Sequence, residues 1–126
     1  MTPIDVIKLA ETIRATPRPK DVHIRTAINR AYYAAFYHAT DWAAKFVPGA
    51  LTTDKKIGMH KEFALRLANP DASLADADKE KSVDLSDDLL ALHSERVRAD
   101  YKLGEPVTID DAIQAICDAR SILATY

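Results

Sequence analysis

Two polar side chains interrupt the apolar stripes of predicted helices, and they are the first candidates for chemistry. His38 lies on the stripe that Ala35 and Trp42 define, and Arg96 lies on a second stripe, one turn after Leu92. Histidine changes its charge near neutral pH, whereas arginine stays charged and suits phosphate or carboxylate partners. Two interpretations of His38 remain open, a hydrogen-bonded core histidine and a catalytic one.

Arg96 needs a partner, because a buried guanidinium is unfavourable unless it is paired. Asp100, one helical turn further on, is the nearest candidate. This spacing predicts an ion pair between the two side chains. The pair is either a feature of the bundle surface or the anchor of a binding site.

A second candidate surface comes from the aromatic stretch RTAINRAYYAAFYHA, residues 25–39. On a helix, Arg30 shares a face with Tyr33, Tyr37 and Asp41. Such a face can be a solvated arginine stacked on tyrosines. It can also be a surface that holds a phosphate and stacks a base. Periodicity alone favours the first interpretation.

The residues that could bind metal or act as nucleophiles lack the spacing that these sites need. Di-metal sites in helix bundles place a glutamate three residues before a histidine. No histidine of this chain has one: His23, His38, His60 and His93. We therefore predict no metal. The single cysteine, Cys117, neighbours the predicted buried face at Ile116 and is expected to pack there. The three glycines form no phosphate-binding loop, so no cofactor is predicted.

Length, charge and cysteine usage bound the class of protein. The chain has 126 residues, which fits one domain over residues 1–126. Its formal net charge of −2 gives no global attraction for a polyanion, so a nucleic acid would have to meet a local patch. No apolar run approaches the roughly 20 residues of a membrane span, and the N-terminus lacks a signal-peptide core. One cysteine suits a reducing compartment. We therefore expect a cytoplasmic protein without membrane contact.

Helical periodicity runs through the chain, and no segment has the pattern of a strand. The pattern predicts helices over about residues 3–15, 21–47, 57–67 and 79–103, and a last one from about residue 108, with a polar loop over about 69–78. Thr2, Asp21 and Thr108 are the expected caps, the last with Asp111 three residues later. The predicted inward residues are Val6, Leu9, Ala10, Ile13, Ile24, Ile28, Ala31, Ala35, Trp42, Phe46, Ile57, Phe63, Ala64, Leu67, Leu85, Leu89, Leu92, Ala99, Leu103, Ile109, Ile113, Ile116 and Leu123. These lengths and connections predict an all-α fold, an antiparallel up-and-down bundle of four to five helices.

Three stretches, residues 25–39, GMHK at residues 58–61 and RVRADY at residues 96–101, together resemble the HEPN domain family (higher eukaryotes and prokaryotes nucleotide-binding), in its small single-domain prokaryotic branch. Residues 25–39 are similar to the second-helix signature of that family. GMHK, residues 58–61, resembles its short-helix histidine–lysine element, and RVRADY, residues 96–101, resembles its Arg-x-x-Ala-Asp-Tyr element on the fourth helix. The three stretches follow in the family's order along nearly the whole chain.

This resemblance implies an all-α bundle, a homodimer, and a setting in bacterial defence or toxin–antitoxin systems beside a nucleotidyltransferase. Many members of the family are metal-independent endoribonucleases, whose Arg-x4-6-His motif comes from both subunits. In such a site the histidine transfers the proton of the 2′-hydroxyl, and the arginine stabilises the charge that develops on the phosphate.

The sequence departs from that ribonuclease motif at the decisive position. With four residues in between, Arg96 is followed by Tyr101 rather than histidine, and a phenol with a pKa near 10 is a poor base at pH 7. Arg30 and His38 have seven intervening residues, one more than the motif allows. The only literal match, Arg18 to His23, crosses a predicted helix start. The departure favours a non-catalytic module.

Three hypotheses follow. In the first, a HEPN-like module binds RNA, a nucleotide, or a nucleotidyltransferase-type or antitoxin partner in a groove between the second and fourth helices, lined by Arg30, Tyr33, Tyr37, Arg96, Asp100 and Tyr101. In the second, a metal-independent endoribonuclease uses a non-standard site drawn from Arg96, Tyr101, His38, His60 and His93. In the third, the same polar residues form a buried network that specifies packing and dimerisation.

Overall fold

A computed structural model of the chain describes residues 1–51 and 58–126. Within them the chain forms five α-helices, one short 3-10 helix and no strand, so the prediction of an all-α helix bundle is confirmed. The elements are α1 (Pro3–Arg14), α2 (Asp21–Phe46), the 3-10 helix (Pro48–Leu51), α3 (Met59–Ala68), α4 (Asp76–Tyr101) and α5 (Ile109–Thr125). None of the helices in the described ranges has the length and apolarity needed to cross a lipid bilayer.

Helix α2 is the centre of the bundle and packs against α1, α4 and α5. Its buried positions are rich in alanine, which lets neighbouring helices approach closely on several sides. The alanines with no exposed surface are Ala27, Ala31, Ala34, Ala35, Ala39 and Ala43. The exposed and half-exposed side chains of α2, among them Asn29, Arg30, Tyr33 and Tyr37, lie on the remaining face.

Side-chain hydrogen bonds fix the register of α4 against α3. Buried Ser82 donates to the carbonyl of Leu67 at 2.6 Å, and buried Ser86 donates to the carbonyl of Ala64 at 2.7 Å. Later residues of α4 therefore meet earlier residues of α3, which makes the two helices antiparallel. This register brings the C-terminal half of α4 alongside the start of α3.

A buried arginine joins the start of α2 to the end of α4. Arg25 is 7% exposed, and its Nε donates to Asp21 at 2.7 Å. Its two Nη atoms donate to the backbone carbonyls of Arg98, Ala99, Lys102, Leu103 and Glu105. The last carbonyls of a helix lack intrahelical partners and carry partial negative charge, so a guanidinium suits them. Arg25 thereby holds the end of α4 beside α2.

The helix starts were predicted in part. Thr2 and Thr108 cap α1 and α5 through capping boxes, as expected. The predicted cap Asp21 was wrong: Lys20 precedes the helix, its backbone N–H donates to His23 Nδ1 at 2.9 Å, and the Asp21 carboxylate pairs with Arg25. Helix α4 begins at Asp76 rather than near residue 79, so the polar loop is shorter than predicted. The predicted start of the third helix at residue 57 lies outside the described residues.

Four residues predicted to face the core are exposed: Leu9, Phe46, Leu103 and Ile113. Phe46 is the last residue of α2, and Leu103 follows the end of α4, so both lie beyond the packed part of their helices. Helices α1 and α5 are rotated relative to the predicted stripes and bury Ile7 and Ile122 instead.

Candidate functional site

A polar and aromatic cluster lies where α2, α3 and α4 meet. Helix α2 contributes four of its residues, α3 one and α4 four, and we refer to them together as the Arg96 cluster: Asn29, Arg30, Tyr32, Tyr33, His60, His93, Arg96, Asp100 and Tyr101. Contacts between side chains join each member to at least one other. Residues more than 60 positions apart in sequence therefore share one surface.

Arg96 is held by one carboxylate and surrounded by aromatic rings. Its Nε donates to Asp100 Oδ2 at 2.7 Å, so the predicted ion pair is confirmed. The Arg96 side chain is 11% exposed, and its guanidinium carbon lies 5.3 Å from the ring centre of Tyr33 and 5.2 Å from that of Tyr101. Burial acts to lower the pKa of Arg96, but Tyr33 and Asp100 outweigh it, and the pKa is raised. The guanidinium is therefore fixed and charged.

Arg30 adds a second guanidinium to the same aromatic ring. Its guanidinium carbon lies 5.2 Å from the ring centre of Tyr33, and its Nε donates to Asn29 Oδ1 at 2.8 Å. Asn29 in turn donates to Asp100 Oδ2 at 2.7 Å. The hydrogen bonds thus run from Arg30 through Asn29 and Asp100 to Arg96, across the gap between α2 and α4.

The predicted face of α2 exists in the structure. The ring centres of Tyr33 and Tyr37 are 5.8 Å apart, and Arg30 lies over Tyr33 at the other end of the face. Tyr37 is 42% exposed, and Asp41, one turn further, is exposed as well. Aromatic surface therefore extends from the Arg96 cluster along α2 towards solvent.

Two of the candidate histidines belong to the cluster. The rings of His60 and His93 are stacked, with centres 5.7 Å apart. Partial burial lowers the pKa of both, and the charge of Arg96 lowers each further; His93 adds to the effect on His60, and Lys61 to that on His93. Both imidazoles are consequently neutral at pH 7 and can accept a proton.

Tyr32 lies underneath the two histidines and supports one of them. It has no exposed surface, and its hydroxyl is 2.8 Å from His60 Nδ1. Burial raises the pKa of Tyr32 well above its ordinary value, although Arg96 opposes the shift, so the hydroxyl stays protonated. The hydrogen bond orients the His60 ring and leaves its Nε2 for other partners.

His38 does not join the Arg96 cluster. His38 lies five positions after Tyr33 in the sequence, which places it about 140° around the helix from Tyr33. Its Nε2 is buried and has no hydrogen-bond partner among the described residues. Of the five candidate catalytic residues, the structure brings four together, and His38 is the one it leaves out.

The residues considered for nucleophilic or metal chemistry lie apart from this surface. Cys117 is exposed, so the expectation that it packs against the core was wrong; only its neighbour Ile116 points inward. Within residues 1–51 and 58–126, no three histidine, cysteine, aspartate or glutamate side chains are grouped as metal ligands.

Sequence reasoning missed Asn29 and Arg25. Asn29 lies within the recognised stretch, one turn before Tyr33, but its partner Asp100 is 71 residues away. The carbonyls that Arg25 binds are still further along the chain. A polar residue on a buried face was the only signal in the sequence for either role.

Comparisons of the chain with protein-family models, with curated proteins and with solved structures gave no match. The resemblance to HEPN domains therefore rests on residues 25–39, 58–61 and 96–101 of the sequence and stays a prediction.

Proposed function

We propose that this chain is a HEPN-like module that binds RNA or a nucleotide through the Arg96 cluster and does not act on it chemically. One observation carries the proposal: the guanidinium groups of Arg30 and Arg96 lie over the same Tyr33 ring, at 5.2 and 5.3 Å. Two fixed positive charges beside exposed aromatic faces suit a ligand that combines a phosphate with a planar base.

Arg96 has hydrogen-bond donors to spare for a phosphate. A guanidinium carries five N–H donors. In Arg96, Nε donates to Asp100, and Nη2 donates to the hydroxyl of Tyr101 at a longer 3.4 Å. Nη1 has no partner among the described residues. A phosphate oxygen can therefore be bound without breaking the ion pair that holds Arg96 in place.

Tyr101 and Tyr37 provide the stacking surface in this proposal. Tyr101 is 69% exposed and lies against Arg96, while Tyr37 is 42% exposed and lies against Tyr33. Stacking of a base on an aromatic ring contributes about 1–3 kcal/mol and depends little on the base. We expect binding of single strands with weak sequence preference.

The biological setting is a further part of the proposal and follows from the resemblance alone. It comprises a cytoplasmic homodimer in a bacterial defence or toxin–antitoxin system, with a nucleotidyltransferase-type or antitoxin partner. In that setting the same surface would be covered by the partner or occupied by RNA.

The test of RNA binding is a fluorescence anisotropy titration with a labelled single-stranded oligouridylate. We expect Arg96→Ala to weaken binding at least tenfold. Arg120→Ala is the matched control, because Arg120 is an exposed arginine that pairs with Glu11 between α5 and α1. The proposal fails if neither the wild type nor either variant binds, or if the two variants lose affinity equally.

A second function, metal-independent RNA cleavage, is favoured by the position of His60 and His93 beside Arg96. In this reaction one neutral imidazole takes the proton of a ribose 2′-hydroxyl, whose oxygen attacks the adjacent phosphorus. The bond between phosphorus and the 5′-oxygen breaks, the imidazolium formed in the first step returns its proton to that oxygen, and a 2′,3′-cyclic phosphate remains. Arg96 would stabilise the negative charge on the phosphorane oxygens.

Incubation of the protein with RNA in EDTA separates the two functions. If the protein cleaves RNA, the products should end in a 2′,3′-cyclic phosphate, and they should be lost in His60→Ala and His93→Ala. His38→Ala is the matched control, since His38 lies outside the cluster. Absence of products at enzyme concentrations that saturate the RNA would exclude cleavage and leave the binding function intact.

A further inference from the structure

An open depression of about 620 Å³ lies beside the Arg96 cluster, between the first half of α2 and the end of α4. Its lining residues have two characters. One end is polar and shares Asn29, Arg30 and Asp100 with the Arg96 cluster. The other end has the exposed apolar side chains of Val22, at 61%, and Leu103, at 70%, beside Asp21, whose carboxylate pairs with Arg25. The depression is therefore continuous with the proposed phosphate position.

Asp100 is a negatively charged residue within a surface that is proposed to bind phosphate. Its negative charge repels a phosphodiester chain at close range. One of its oxygens is accounted for, because Oδ2 accepts hydrogen bonds from Arg96 and Asn29, both at 2.7 Å. Oδ1 has no donor among the described residues. A ligand that offers a hydroxyl donor at this point would turn the repulsive carboxylate into a favourable contact.

The order of groups along a nucleotide matches the order of residues in the depression. Phosphate is attached directly to the sugar, and the base extends from the other side of the sugar. With a phosphate on Arg96, the sugar of the same nucleotide falls next to Asp100, and its base falls towards Val22 and Leu103. Tyr37 and Tyr101 then stack other bases of the strand. Exposed aliphatic side chains can cover one face of a base, since that face is apolar.

We propose that this depression is a ribonucleoside subsite, in which the ribose 2′-hydroxyl donates a hydrogen bond to Asp100 Oδ1 and the base packs on Val22 and Leu103. The proposal rests on the proposed function and deepens it, because it makes the surface selective for RNA over DNA. The 2′-hydroxyl is the group by which a protein distinguishes the two nucleic acids.

The test changes the ligand first and leaves the protein intact. Single-stranded oligouridylate, its deoxyuridine counterpart and its 2′-O-methyl counterpart have the same base and charge, and the last two lack the donor. We expect the wild type to bind the ribose form about tenfold more tightly than either, as is typical of a hydrogen bond to a charged group. Equal affinities for the three would overturn the subsite while the proposed function stands. Binding of none would overturn both.

Three protein variants then test which residue causes the preference for ribose over deoxyribose. Asp100→Asn places an amide where Oδ1 accepted, so the ratio of ribose to deoxyribose affinity should fall close to one, whatever happens to the absolute affinities. Asp118→Asn on α5 removes the same charge from a carboxylate that contacts Gln114, and the ratio should be unchanged. Leu103→Ser should weaken all three ligands and preserve the ratio. An unaltered ratio in Asp100→Asn overturns the role of Asp100.

Discussion

Arg96 Nε donates a 2.7 Å hydrogen bond to Asp100 Oδ2, and this bond holds the guanidinium between the rings of Tyr33 and Tyr101. The pair is intrahelical, as many surface ion pairs are, but its side chains are only 11% and 21% exposed. Asp100 Oδ2 also accepts a hydrogen bond from Asn29 of α2, so this carboxylate both holds Arg96 and connects α4 to α2. The position of the Arg96 charge is the basis of the predictions on RNA binding.

Replacement of Arg96 by lysine should weaken binding of oligouridylate about tenfold although the charge is kept. An ammonium cannot donate to Asp100 and to a phosphate in the planar geometry of a guanidinium, and it stacks less well on Tyr33. Anisotropy titrations at two salt concentrations measure the effect. Arg120→Lys should bind as the wild type does, and an Arg96→Lys affinity equal to it would argue against a positioned guanidinium.

Substitutions of Tyr101 distinguish the binding hypothesis from the purely structural hypothesis. If the cluster serves only packing, Tyr101→Phe should lower the melting temperature sharply. Because Tyr101 is 69% exposed, we expect a change in unfolding free energy below about 0.5 kcal/mol for Tyr101→Phe and Tyr101→Leu alike. Tyr101→Phe retains the ring and should retain most RNA affinity, whereas Tyr101→Leu should lose about fivefold or more. A large loss of stability in both variants would favour the structural hypothesis.

Arg25 should contribute more to stability than an exposed arginine such as Arg120. Arg25→Ala leaves buried carbonyls at the end of α4 without their donor, and we expect a loss of about 3 kcal/mol in unfolding free energy. Urea denaturation followed by circular dichroism measures it. The exposed pair of Arg120 gives the comparison, with an expected loss below about 1 kcal/mol for Arg120→Ala. Similar losses for the two variants would contradict the role assigned to Arg25.

The stability of the free protein should fall as the pH is lowered from about 7.5 to 5.5. His60 and His93 have pKa values below that of an unfolded histidine, about 6.5, because burial and the charges of Arg96 and Lys61 disfavour their protonation. The unfolded chain therefore binds protons first as the pH falls, and the free energy of unfolding declines.

The double variant His60→Gln/His93→Gln removes both titrating groups and is the control for this pH dependence. Urea titrations at pH 7.5 and 5.5 should show a smaller difference in unfolding free energy for the variant than for the wild type. An identical difference for the two proteins would show that other groups cause the decline.

His38 should be dispensable for binding and unfavourable for stability. Its buried Nε2 has no partner among the described residues, and an unpaired buried polar atom costs about 1–3 kcal/mol. His38→Leu should therefore raise the free energy of unfolding by about 1 kcal/mol and leave the affinity for oligouridylate unchanged. Loss of affinity in this variant would place His38 in the site after all.

The parts of the site that lie within one helix could be predicted from the sequence. The Arg96–Asp100 pair and the face formed by Arg30, Tyr33 and Tyr37 follow from helical spacing, which is fixed by backbone geometry. The contact between His60 and His93 could not be predicted, because it depends on how α3 and α4 slide past each other. That register is set by packing and by buried hydrogen bonds such as the one from Ser86, which have no local signature.

The same distinction applies to the fold. The caps at Thr2 and Thr108 are local and were predicted correctly, whereas Leu103 was assigned to the core because it continues the stripe of α4. Periodicity identifies the face of a helix but not the residue at which the helix ends. Leu103 lies two residues after the end of α4, and its exposure is what makes it available to the proposed subsite.

Binding of RNA to the Arg96 cluster can be observed directly in a ¹H–¹⁵N NMR titration of the labelled protein with oligouridylate. We predict that the backbone signals of α2 around Asn29–Tyr33 and of α4 around Arg96–Tyr101 shift with increasing RNA, together with the side-chain Nε–H of Arg96. The signals of Asp118 and Ser121 on α5 should not move. Shifts confined to other helices, or no shifts at saturating RNA, would show that RNA does not bind the Arg96 cluster.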